Sequence, residues 1–531
     1  MKNCIESVKK YLPWLVLSFS FFMVMIFNYM NSLNGIDSDM SADLIYANMM
    51  LKERNIIVDD WFWSTGIKFF DPTLIYAVFL LIFPTNWSIA RVCSIFVILL
   101  LVIASYIYMA MAISPKKTCI YFASLVILPY HYWMLQNISF GCYYTFYFIS
   151  TMICVGTFLR MISCTNEKKY ALHAIILSVF SLMAGIQGQR LVLTLFIPLG
   201  IMCIIELIYH FHMIENYKIN IKQDILPYAF AVISAGIGFL INNNYLSVQY
   251  NIKQYDILWQ PFDINEIIDL LGVFFSLFGY IVDDFFEIPV SVLSTVGILA
   301  CFGLLFCIFM LCAFAKSIIS ITKLQREDRV ITILTSLSVL FTVLAITLMG
   351  VSGNGSHLLT SVPLAIFLFQ RTFERLEFRR KHGRTIAGIV IGICVCAASI
   401  ATMQQFEAVP RRSSQQDIIP VSRWLKENGY HKGIADFWNS NVVTELTDGK
   451  VEMWTISIDS DELTLNTACW LQRKSHEYFE NGEYFILLPN EQMNTIEHLT
   501  DAGKATCVYE DPKYSVVEVE IKDSEFVVLS E

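Results

Sequence analysis

The strongest constraint on this chain is a succession of apolar runs near residues 13–31, 88–112, 118–134, 141–161, 171–187, 190–209, 225–242, 289–315, 330–350, 358–373 and 385–403. Each is close to the roughly 17–25 residues that a helix needs to cross about 30 Å of hydrocarbon. A water-soluble core does not require such runs. Of the 531 residues, 56% are hydrophobic and only 16% charged, and the mean hydropathy is +0.55. The expected class is a polytopic α-helical membrane protein with about eleven transmembrane helices and a C-terminal extracytoplasmic α/β domain.

Charge orients the runs. The first follows Lys2, Lys9 and Lys10 and is not followed by a small-residue cleavage site, so it reads as a retained helix with its N-terminus in the cytoplasm. Alternating from there, the inner loops collect Lys116 and Lys117; Arg160, Lys168 and Lys169; Lys218 and Lys222; Lys316, Lys323, Arg326 and Arg329; and Arg371, Arg375, Arg379, Arg380, Lys381 and Arg384. That places 20 of the 26 Lys and Arg before residue 404 inside, as the positive-inside rule requires. The scheme leaves a loop at 32–87 and everything after 403 outside, in the plasma membrane's outer compartment. The apolar stretch 264–282, flanked by Asp263, Glu266, Asp269, Asp283, Asp284 and Glu287, is read as an interfacial or re-entrant helix, because a further span would invert the later loops.

Residues 1–403 thus form a membrane domain, and 404–531 a soluble one with 11 Lys and Arg against 23 Asp and Glu. Such an acidic surface argues against nucleic acid. Its pattern predicts helices at 417–428, 440–446, 465–479 and 490–502, and strands at 433–437, 451–456, 484–488, 505–509 and 514–521, a small α/β layer domain. Most of the 14 cysteines fall in the apolar runs, while Cys469 and Cys507 in the tail either pair or stay free. No C-x-x-C or His-rich metal spacing is present.

The chemistry concentrates just past the first run. The loop reads Gly35-Ile36-Asp37-Ser38-Asp39-Met40-Ser41-Ala42-Asp43, then Asp59-Asp60-Trp61-Phe62-Trp63, then Phe69-Phe70-Asp71-Pro72-Thr73-Leu74-Ile75-Tyr76, a short apolar helix ending at Phe83-Pro84, and Trp87-Ser88-Ile89-Ala90-Arg91. Carboxylates at a membrane helix end cost free energy unless they face water, a cation or a proton-transfer task. Asp37 and Asp39 flank one residue, so in an extended turn both point one way and serve as a general base or hold a divalent cation such as Mg or Mn between their oxygens. The plainer reading makes Asp39 or Ser38 the cap of a helix from Met40 to Arg54, with Asp43 in its first turn. Asp59 and Asp60 are either substrate contacts or a solvated bend.

In order and content this stretch resembles the first extracytoplasmic loop of the GT-C superfamily, the polyprenyl-phosphate-dependent glycosyltransferases, in the branch of the protein mannosyltransferases and lipid A aminoarabinose transferases. That branch has an Asp-containing motif after the first span, a Pro opening a short helix with a Tyr, and an Arg opening the second span. The resemblance covers mainly residues 32–112, and one Pro stands where the family often has two. It implies that Asp37 or Asp39 takes the catalytic carboxylate's place, that Pro72, Tyr76 and Arg91 match the later landmarks, and that transfer inverts the anomeric carbon.

A lipid-phosphate leaving group calls for a cation at the membrane surface. The candidates are Arg190, Arg91 and Lys68, with His131 and His357 as further phosphate or acceptor contacts. Against these stand snorkelling for Arg190, a structural pair with a loop carboxylate for Arg91, and aromatic-belt positions for the two histidines. Trp63 and Tyr76, with Asp59 and Asp60, complete the expected substrate contacts. The edge Ala435 to Leu446, followed by Val451 to Trp454, is either a carbohydrate-contact edge or a packed strand-to-helix turn. The expected function is transfer of a monosaccharide from a polyprenyl-phosphate donor to a cell-envelope glycan, lipid or protein acceptor on the outer face. The rivals are a transporter or flippase of a lipid-linked precursor, which would need ionisable groups at mid-membrane, and a non-catalytic scaffold for glycan assembly.

Overall fold

The computed structural model describes residues 2–64, 66–67, 72–213, 218–250, 252, 259–280, 291–350, 355–377, 382–408, 415–457 and 463–529. The chain divides into two compact units: Met1–Phe27, Val97–Ser247 and Tyr255–Val409 make the first, and Asn28–Phe96, Val248–Gln254 and Pro410–Glu531 the second. By this clustering the first loop groups with the tail and not with the helices that flank it in sequence.

The first unit is helical. Across the described residues, nine helices are long and apolar enough to cross a membrane, the first ending at Met30 and the last being Gly383–Glu407. A tenth crossing is counted if the bent pair Lys116–Ile127 and Tyr132–Phe140 is taken as one span. The expected straight run at 118–134 is interrupted by Pro129. Leu128, the residue before it, is extended (φ −72°, ψ 129°), and the two helical pieces meet at 97°. The run at 358–373 proves to be a short helix Gly355–Leu358, a 3-10 turn and the helix Val362–Arg375, whose 14 residues rise only about 21 Å. The stretch at 264–282 is a 13-residue helix, Ile264–Ser276, also short of a span.

Close backbone approach holds helices together where lipid supplies no hydrophobic drive. A Cβ on Gly185 would sit 2.1 Å from Ala235 O, and one on Gly238 would sit 2.2 Å from Leu182 O, so Glu167–Ile186 and Leu226–Ile241 touch only because both positions are glycine. Buried charges are paired. Glu206 accepts from Arg329 at 2.7 and 2.8 Å, and Asp328 accepts from Arg371 at 2.7 Å and lies 3.1 Å from Arg375.

The second unit holds a six-stranded sheet: β1 (Lys432–Asp436), β2 (Glu452–Ile456), β3 (Gly482–Pro489), β4 (Ala505–Glu510), β5 (Tyr514–Lys522) and β6 (Glu525–Val527). The order is β2-β1-β3-β5-β4 with β6 on β5; β1 runs parallel to β2 and β3, and β5 antiparallel to β3 and β4. Alternation along the strands gives two apolar faces. One buries Ile434, Trp454, Ile486 and Val517; the other buries Ala435, Met453, Phe485 and Val516, together with Ile36 from the first loop. The expected strands appear with small shifts, β6 in addition. The helix expected at 465–479 does not form, apart from a 3-10 turn at Lys474–Glu477. That segment lies along β2 instead: Ala468 N donates to Thr455 O, Ser457 N donates to Asn466 O, and the Gln472 amide bonds Thr455 N and O, covering an edge that would otherwise stay unpaired. The 490–502 helix is a 3-10 turn followed by Glu497–Asp501. Cys469 and Cys507 are both exposed and are not joined to each other, so the pairing alternative is not realised.

Candidate functional site

α1 (Lys2–Met30) ends in the second unit, and the first-loop candidates lie there on or beside α2 (Ser38–Glu53), α3 (Thr73–Ile82) and the first turns of α4 (Trp87–Ala110). α2 is a well-punctuated helix. Asp37 is its N-cap, its Oδ1 accepting from Met40 N at 2.9 Å, with Asp39 in the first turn, Lys52 in the last, and Arg54 in the left-handed C-cap position (φ 53°). The cap is thus Asp37 and not the expected Asp39 or Ser38. The two carboxylates belong to a helix start, half-buried, and not to an extended turn. Asp43 is buried. Among the described residues no group of three or more His, Cys, Asp or Glu could hold a metal ion.

Further along the loop, Tyr46 OH donates to Ile56 O at 2.9 Å and accepts from Val58 N, and its ring faces Trp61 and Trp63 at 5.4 and 4.7 Å. Trp63 is buried in this cluster, and its indole N–H finds no partner among the described residues. Asp59 is exposed. Asp60 is bound: Arg473 Nε and Ser475 N and Oγ donate to it at 2.8, 2.7 and 3.0 Å. Burial pushes its carboxyl up, but the Ser475 N–H and the Arg473 guanidinium outweigh that and leave it below the ordinary carboxylate range. Arg473 also holds Glu452, which is lowered to about 2, first by the hydrogen bond with His476.

Arg91, on the first turns of α4, is 1% exposed. Its Nε and Nη2 donate to Glu445 at 2.7 and 2.6 Å, Nη2 donates also to Met40 O at 2.9 Å, and the guanidinium lies 5.4 Å from the buried Tyr76 ring of α3. Of the two readings of Arg91, the geometry displays the structural pair, with a carboxylate from the tail and not from the loop. Lys68 lies outside the described residues.

The remaining candidates belong to the first unit. Gly188 (φ 113°), at a conformation suited to glycine, turns the chain into Gln189–Leu191, which carries Arg190. The Arg190 guanidinium lies 4.3 Å from the Tyr144 ring and 5.3 Å from Tyr147, and its Nη2 is 3.3 Å from His357 Nδ1. Arg190 and His357, 167 residues apart in sequence, are thus brought together, with the guanidinium beside the adjacent rings of Tyr144 and Tyr147. His131 stands apart from them in role: it caps the helix after the Pro129 break, its Nδ1 accepting from Trp133 N at 3.2 Å.

Sequence reasoning passed over Glu445 and Asn441. Both stand in the segment 435–446, on a helix that also carries Asn439, Ser440 and Thr444, so the sequence alone held no signal that set these two apart.

No family model and no curated protein matches the sequence. Solved structures do match. ArnT from Cupriavidus metallidurans bound to undecaprenyl phosphate superposes with a TM-score of 0.57 at 10% identity, over 95% of this chain and 98% of that one. The apo state of the same protein gives 0.58 at 11% identity, over 96% and 98%. The chain is an integral membrane protein with the fold seen in ArnT.

Proposed function

We propose that the protein is a membrane glycosyltransferase that takes a sugar from a polyprenyl-phosphate donor. The observation that carries this reading is the ArnT-like fold over 95% of the chain, from a protein that binds undecaprenyl phosphate. The acidic helix start that the residue chemistry singled out supports it. In the proposed step the carboxylate of Asp37 or Asp39 accepts the proton of an acceptor hydroxyl. The acceptor oxygen bonds to the anomeric carbon, and the bond from that carbon to the phosphate oxygen breaks, the electron pair leaving with the polyprenyl phosphate. Arg190, whose guanidinium lies against the Tyr144 and Tyr147 rings, is assigned to the phosphate, since a planar guanidinium can offer it two hydrogen bonds. The acceptor is a cell-envelope glycan, lipid or protein. The proposed orientation, N-terminus in the cytoplasm and tail outside, rests on the positive-inside bias.

The reading is tested by supplying the purified protein, in native lipids, with a panel of labelled polyprenyl-phosphate sugars and measuring released polyprenyl phosphate. Release from at least one donor, reduced in Arg190→Gln through weaker donor binding, supports it. No binding and no release across the panel would remove it.

A further inference from the structure

The helix Phe437–Leu446 reaches the acidic start of α2 with two side chains. Asn441 and Glu445 are one turn apart, on one helix face. Both are 4% exposed. A buried amide and a buried carboxylate are costly unless partnered, and the partners recorded for both include first-loop residues. Asn441 Nδ2 donates to Ser38 Oγ at 3.0 Å, and Ser38 Oγ in turn donates to Phe437 O, at the start of the same helix. Ser38 is the residue between Asp37 and Asp39. Glu445 holds Arg91 by two charge-assisted bonds, and Arg91 passes one on to Met40 O, the residue after Asp39. The segment Asp37 to Met40 is therefore fastened at two points by one helix, through residues one turn apart on that helix and two positions apart on α2. Ile36, just before it, is buried in the core of the sheet domain.

We propose that Asn441 and Glu445 are positioning residues for transfer: the tail domain fixes the carboxylates at the head of α2 without itself touching the reacting atoms. This rests on the transferase reading above. It gives the tail an indirect part in the reaction, because a carboxylate misplaced by about 1 Å loses most of its value as a base.

The test uses the full-length protein in lipid nanodiscs, comparing wild type with Asn441→Leu, Glu445→Gln and, as a control, Lys432→Gln in the exposed Lys432–Glu480 pair. Hydrogen exchange is followed at the amides of residues 38–44 and of β3, alongside kcat and KM for a donor. In Asn441→Leu the α2 amides should exchange about tenfold faster and kcat should fall about tenfold, with β3 exchange and KM within about twofold of wild type. Glu445→Gln should do the same more strongly, and Lys432→Gln should change neither. Exchange and kcat both unchanged in Asn441→Leu, or exchange rising equally in β3, would overturn the proposal. If wild type turns over no donor, the transferase reading falls, while the exchange result still decides whether the helix fastens the turn.

Discussion

Asp37 is asked to do two things, and substitution can separate them. Asparagine caps a helix about as well as aspartate, whereas alanine does not. Asp37→Asn should change thermal stability by less than about 0.5 kcal/mol and Asp37→Ala should cost about 1 kcal/mol. If Asp37 is the base, both should lower kcat by about 10²–10⁴-fold. A wild-type rate in Asp37→Asn would transfer the role to Asp39. A second residue-scale prediction concerns Glu452, whose carboxyl is depressed from its ordinary 4.5 to about 2 by His476 and Arg473. A depressed folded-state pKa stabilises the fold above the ordinary value and loses that contribution as pH falls from 4.5 toward 2. Glu452 is 40% exposed, so solvent screening keeps the effect small. The unfolding midpoint, followed by fluorescence of Trp454, which stacks 4.1 Å from His476, should drop across that window in wild type and flatten in Glu452→Gln. An identical slope in the two would contradict the assignment. At this scale the sequence displayed the acidic helix start but not its partners. Glu445 is 354 residues from Arg91, and nothing local in either segment names the other.

Elements were legible where a local rule governs them. The short apolar runs of β1, β3 and β5 and the ends of α2 are local, and they were placed to within a few residues. The 465–479 segment was misread because its apolar spacing suits a helix while its backbone groups are taken by the edge of β2, a tertiary demand. The run at 118–134 was long enough to read as a span; Pro129 and the cap formed by His131 divide it. Glycine supplies the test at this scale. Gly185→Val places a Cβ against Ala235 O, already 2.1 Å from the ideal position, with backbone on both sides and no flexible side chain to yield. It should destabilise the protein in detergent by about 1–3 kcal/mol or more, whereas Gly236→Ala, which meets nothing within 4 Å, should be tolerated. Equal melting points for the two would contradict the packing described.

At the scale of the molecule, composition and charge were enough for the membrane class, and the first-loop motif was enough for the fold, because both are written in contiguous residues. The grouping of residues 28–96 with the tail was not legible, since it is made by pairs such as Asp60 with Arg473 that are remote in sequence. Orientation has a direct probe in the exposed thiols Cys469 and Cys507. A membrane-impermeant maleimide should label both in intact cells, and loss of labelling in a Cys469→Ser/Cys507→Ser variant should confirm the positions; labelling only after permeabilisation would place the tail in the cytoplasm. The central claim, that this is a polyprenyl-phosphate sugar transferase with its base at the head of α2, is met most directly by single-turnover transfer in native lipids by wild type, Asp37→Asn and Asp39→Asn. The account predicts donor binding in all three and transfer abolished in one aspartate variant. Donor binding with equal transfer in all three would remove the base from this turn, and no transfer by wild type would contradict the claim itself.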